Sequence, residues 1–95
     1  MRQSLKIWPE HFDAVANGIK TCELRIEDDK TFAVGDTLAL MEWDPRLTHE
    51  DPDGLARPGR YTHRTCKVAV THILRHGDIG AIPEGWALLS VRVIA

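Results

Sequence analysis

Only residues 9–17 of this chain carry apolar side chains at helical spacing; every other apolar stretch has the pattern of a strand. Pro9 fits the first turn of a helix, where its missing N–H costs nothing. Phe12, Val15, Ala16 and Ile19 recur at intervals of three and four, which gives that helix one apolar face. Gly18 follows at the place where a left-handed residue commonly ends a helix. Before the helix, residues 4–8 alternate apolar and polar as a short strand. After it, Cys22, Leu24 and Ile26 alternate with Glu23, Arg25 and Glu27, so the strand is expected to turn its apolar residues to the core. Val34-Gly35-Asp36 reads as a turn, and residues 37–43, 65–74 and 86–94 as three further strands. One helix among five strands points to an α+β chain, a small mixed β-barrel with an N-terminal helix. Residues 44–62 hold Pro45, Pro52, Pro58, Gly54 and Gly59 and are expected to form a long loop.

The 95 residues suffice for one domain, residues 1–95, with no repeat and no linker. A hydrophobic fraction of 43% and a charged fraction of 27% exclude a disordered tail. No apolar run approaches the roughly 18–20 residues of a membrane span, and the N-terminus lacks the apolar core of a signal peptide. Cys22 and Cys66 belong to no motif and read as the reduced thiols of a cytoplasmic protein.

Charge is distributed unevenly. The formal net charge is −2, which argues against coating nucleic acid by charge alone. Residues 23–53 hold ten acids against Arg25, Lys30 and Arg46, a net of −7. Residues 54–95 hold six bases against Asp78 and Glu84, a net of +4. Arg57, Arg60, Arg64, Lys67 and Arg75 all fall in the acid-free interval between Asp53 and Asp78. Two outcomes are open: a basic face for an anionic ligand, or internal pairing of the two halves.

Most motifs of known chemistry are missing. Gly18-Ile19-Lys20-Thr21 is no phosphate-binding loop, because the lysine does not follow a glycine and the segment runs from helix to strand. No nucleophile elbow or dinucleotide fingerprint occurs. His72 and His76 are four apart but straddle a strand end and a turn, so no metal site and no cofactor is expected. His11, His49 and His63 read as surface residues.

The stretch from Gly18 to Arg25 stands apart. It sets Lys20 at a helix–strand junction and Glu23 and Arg25 on one face of the strand. A cleft-facing Lys–Glu–Arg set holds a phosphate or a polar base edge, or serves as acid–base machinery. The bland reading is an exposed charge ladder worth a few tenths of a kcal/mol.

These residues carry a resemblance. The chain resembles the ASCH domain, a branch of the PUA-like superfamily of small β-barrels, in a short bacterial and phage subgroup. The likeness runs through residues 5–12, the pattern Gly18-x-Lys20-Thr21-x-Glu23-x-Arg25, Val34-Gly35-Asp36, Glu42-Trp43-Asp44-Pro45, Tyr61-Thr62-x-Arg64, and residues 82–90. It implies binding of RNA or of a modified nucleoside in a cleft between the first helix and the barrel. Lys20, Glu23 and Arg25 would line that cleft, with Gly18, Thr21, Tyr61 and Arg64 among the ligand-binding positions. Trp8 and Trp43 would stack on bases, at about 1–3 kcal/mol per base, or else serve as core tryptophans.

The resemblance also implies catalysis as an alternative. Some small ASCH proteins are amidohydrolases that deacetylate N4-acetylcytidine with a lysine, a threonine and a later glutamate. Lys20 aligns with the lysine, Glu23 stands at the threonine position, and Glu84, in what reads as a turn, is the nearest candidate for the later glutamate. Other ASCH proteins are ribonucleases, for which Lys20 and Glu23 are chemically adequate. A third reading is a protein-binding decoy, in which residues 23–53 imitate a phosphate surface. The Val- and Leu-rich closing strand demands no partner copy, and oligomeric state is left open.

Overall fold

A computed structural model describes residues 2–95. The order is β1 (Arg2–Ile7), α1 (Pro9–Ala16), β2 (Cys22–Ile26), β3 (Thr37–Glu50), β4 (Ala56–Arg75) and β5 (Trp86–Val93). The five strands form one mixed sheet in the order β1-β3-β4-β5-β2. β1 runs parallel to β3, and the other pairs are antiparallel. The chain is therefore α+β, with one short helix.

Alternation decides the core. Leu5, Ile7, Leu38, Leu40, Cys66, Val68, Val70, Ala87, Leu89 and Val91 turn to one face and are buried. Phe12 and Val15 of α1 and Phe32 of the β2–β3 connection complete that cluster. A bulge between Val70 and His72 inserts one residue, so Ile73 returns to the core side against Leu89. The helix ends as its sequence foretells, with Gly18 at φ 74°. Its apolar face is narrower than the spacing suggests, because Ala16 and Ile19 lie exposed beyond the contact with the sheet.

The long loop expected at residues 44–62 is instead an extension of β3 and β4. Asp44 faces Arg60, Thr48 faces Pro58, and Glu50 faces Ala56. Only the tip turns, where the Asp51 carboxylate accepts the amides of Asp53 and Leu55 and the Nε–H of Arg57. Prolines fit here for a physical reason. β1 accompanies β3 only to Glu42, and β5 joins β4 only at Val68, so each strand of this arm has one edge in solvent. Register shifts on both sides of Asp44 bend the arm.

The two outer strands of the sheet, β1 and β2, share no backbone ladder. Side chains cross instead between β1 and β2 or the connection that follows β2. Arg25 donates to the Lys6 carbonyl at 3.1 Å, Lys30 to the Ser4 carbonyl at 2.7 Å, and Gln3 to the Thr31 carbonyl at 2.7 Å. Among the described residues no helix is long and apolar enough to cross a membrane.

Candidate functional site

The faces of β2 are opposite to those its sequence suggests. Cys22, Leu24 and Ile26 are exposed, Glu23 is 4% exposed, and Arg25 is half-buried. Pairing forces this choice. Glu23 lies opposite Leu89 and Arg25 opposite Ala87, both fully buried, so the polar pair occupies the core side of the sheet. In a strand, a choice of face applies to every residue at once. A carboxylate is turned inward and leucine outward, and the ion pairs around Glu23 offset the cost of its burial.

Glu23 is held from two sides. Lys20 Nζ lies 2.5 Å from its Oε1, and Arg25 Nε and a terminal nitrogen lie 3.2 and 3.1 Å from Oε2. The same Arg25 terminus spans the gap to the Lys6 carbonyl. About a quarter of each cationic side chain is exposed, so both reach solvent while gripping a buried anion.

Above this triad is a cleft of about 550 Å³, within the usual range for small-molecule sites. Its walls come from β1 and the start of α1 (Lys6, Trp8, His11) and from β2 with Lys20 before it. Trp8 precedes the helix in extended conformation and leaves half of its surface in solvent at the cleft. The arrangement offers an acceptor, two fixed cationic donors and an aromatic face. It suits a flat polar ligand with an anionic group.

The candidate residues divide accordingly. Trp8, Lys20, Glu23 and Arg25 meet in the cleft. Gly18 shapes the turn before it, and Thr21 serves by its carbonyl, which accepts the Val91 amide. Trp43 and Tyr61 line a second cavity of about 380 Å³ on the arm, with His49, Gly59, Arg60 and His63. Arg64 lies elsewhere. It pairs with Asp13 at 2.7 Å and Glu42 at 3.2 Å and lies over the Phe12 ring. Asp13, by its hydrogen bond, holds the Arg64 guanidinium above its ordinary pKa.

Three residues of consequence escaped the sequence reading. Lys6 and His11 line the cleft, and Glu42 is buried at 3% exposure, accepting the Thr62 hydroxyl at 2.6 Å. For Glu42 a signal existed, since the alternation Leu38, Leu40, Glu42 puts it on the core face. The positive φ of His63 marks the irregular stretch of β4 that turns both Thr62 and Arg64 to Glu42.

Of the two outcomes left open for the charges, internal pairing describes most of the basic stretch. Arg57 binds Asp51, Arg64 binds Asp13 and Glu42, and Arg75 binds Glu27. Cys66 lies in the core, where burial pushes its thiol pKa up. His76 meets the Ile82 carbonyl through Nδ1, and His72 is exposed on the opposite face of β4 from the core. Among the described residues no group of three or more His, Cys, Asp and Glu could hold a metal ion.

A family model described as a domain of unknown function, DUF3850, matches residues 3–91, and the chain belongs to that family. No curated protein matches it.

Proposed function

We propose that this protein is an RNA- or nucleotide-binding module of the PUA-like kind, with its ligand in the cleft between β1, α1 and β2. The observation that carries the reading is the buried Glu23 carboxylate, fixed between Lys20 and Arg25 at the base of a cleft with a half-exposed tryptophan. The core side of this strand carries a carboxylate and its two cations in place of apolar side chains, and a recognition role accounts for that choice. Glu23 accepts from a base N–H or exocyclic amine. Arg25 and Lys20 donate to a carbonyl or phosphate oxygen, and Trp8 stacks on the base. The side-chain bridges to β1 from Arg25 of β2 and from Lys30 just after it support the barrel-like closure that this reading requires.

Titration of a short single-stranded RNA at several salt concentrations tests the proposal. Binding should weaken as salt rises, and Glu23→Gln and Arg25→Ala should each weaken it at least tenfold, the loss of about one charged hydrogen bond. Absence of binding at about 20 mM ionic strength would sink it.

The Lys20–Glu23 contact favours one second reading, an amidohydrolase acting on an acylated nucleoside such as N4-acetylcytidine. Glu23 orients Lys20, whose amine, after giving its proton to solvent, removes a proton from water. The resulting hydroxide adds to the acyl carbon, the C–N bond breaks, and the departing amine takes back the proton. Mass spectrometry of N4-acetylcytidine incubated with wild type and Lys20→Ala is decisive. Cytidine and acetate formed only by the wild type establish the activity, and unchanged substrate in both samples ends it.

A further inference from the structure

The cavity on the arm lies outside the cleft and is linked to it by one side-chain contact. Lys6 lines the cleft, and its Nζ stands 4.2 Å from the centre of the Trp43 ring, which lines the arm cavity. The rest of that lining is Tyr61, His49, His63, Gly59 and Arg60. Four of these six residues are aromatic rings or imidazoles, and all four come from the two strands of one hairpin. Tyr61 leaves 45% of its surface in solvent. The Trp43 ring itself is packed over Gly59, so Tyr61 and the histidines offer the open faces.

The cations around this cavity point to the ligand's charge. Arg46, Arg57 and Arg64 are all neutralised by carboxylates of the arm, α1 or β3. Lys6 and Arg60, at the junction with the cleft and in the cavity lining, have no ion pair among the described residues. An aromatic cavity bordered by two cations that no carboxylate neutralises, one of them resting on the Trp43 ring, suits a base joined to a phosphodiester.

Resting on the cleft as a nucleotide site, we infer that the arm cavity is a second base subsite, which receives the nucleotide adjoining the one in the cleft. The natural ligand is then a single strand of RNA and not a free nucleoside. The strand's phosphate passes Lys6, and Tyr61 stacks on the second base.

The test compares a fluorescein-labelled random-sequence hexaribonucleotide with the four ribonucleoside 5′-monophosphates, at about 50 mM salt. Wild type should bind the hexanucleotide more tightly than any monophosphate. Tyr61→Ala should lose at least about fivefold in hexanucleotide affinity, the lower end of what one stacked base contributes. It should leave monophosphate affinity unchanged, and Tyr61→Phe, which keeps the ring, should restore the hexanucleotide. Glu23→Gln should weaken both ligands. If Tyr61→Ala binds the hexanucleotide as wild type does while Glu23→Gln weakens it, the subsite is overturned and the cleft stands. If wild type binds neither ligand, both fall together.

Discussion

Arg25 joins the two outer strands of the sheet: one terminal nitrogen donates to the carbonyl of Lys6 at 3.1 Å and also lies 3.1 Å from the Glu23 carboxylate. One guanidinium thus fixes the floor of the cleft and ties β2 to β1 where no ladder exists. Its planar fork allows both contacts at once, which a lysine ammonium does not reproduce in the same geometry. Arg25→Ala should therefore cost about 1–3 kcal/mol, with Arg25→Lys recovering less than half of it. Urea melts of the three proteins measure this. A loss within about 0.5 kcal/mol would mean that the crossing contributes nothing beyond a surface charge.

Glu42 supplies a test of how a buried carboxylate is satisfied. Its Oε1 accepts from Thr62 and its Oε2 from Arg64, whose side chain is itself half in solvent. Thr62→Val and Arg64→Ala should each cost about 1–2 kcal/mol, because one charge-assisted donor survives in either variant. The double variant strands the carboxylate and should cost about 1 kcal/mol or more beyond the sum. A double-mutant cycle by thermal or urea unfolding gives the coupling directly. Strict additivity would show that water replaces the missing donors.

What could be read from the sequence follows from where periodicity has one interpretation. The helix at Pro9–Ala16 and the strands around Leu5, Leu38, Val68 and Leu89 were legible because each buries one face against a single core. β2 misled, since alternation says which residues share a face and not which face turns inward. That was decided by its pairing with β5, a contact some 65 residues distant in sequence. The arm misled for a related reason. Its prolines argue against a central strand, and nothing local reveals that β1 and β5 stop short and leave two solvent edges. The Lys20–Glu23–Arg25 grouping was legible as a spacing, whereas the contribution of Lys6 and His11 depends on β1 and α1 lying across from β2.

Gly59 makes the arm sensitive to a single methyl group. Its φ is 96°, and a Cβ added there would lie 1.8 Å from Cζ2 at the edge of the Trp43 ring. Gly59→Ala combines a left-handed backbone penalty with a clash against a ring already held by Lys6, about 2–4 kcal/mol together. The arm contacts little of the core, so the loss should be local. Amide exchange should rise in residues 43–62 while the core strands stay protected, and the change in tryptophan emission should precede global unfolding. Uniform acceleration across the whole sheet would instead make the arm part of one cooperative unit.

Acid should weaken the fold through Glu27. The Arg75 guanidinium, 2.8 Å away, holds this carboxyl below its ordinary value near 4.5; burial pushes the other way, and the Phe32 amide adds to the lowering. Because the folded pKa lies below the unfolded one, the unfolded chain binds more protons between the two values. The stabilisation is complete above the unfolded pKa and is lost as pH falls through the folded one. Glu27→Gln removes the ionisable group and should cost about 1–2 kcal/mol at neutral pH. The gap between wild type and Glu27→Gln should stay flat from about pH 8 to pH 5 and close progressively below about pH 4.5. The other lowered carboxylates, Asp28, Asp36, Asp44 and Asp51, titrate alike in both proteins and cancel from the difference. Urea melts at half-unit pH intervals provide the curve. A gap that persists undiminished to about pH 3 would show that packing, and not the ionised pair with Arg75, accounts for the contribution of Glu27.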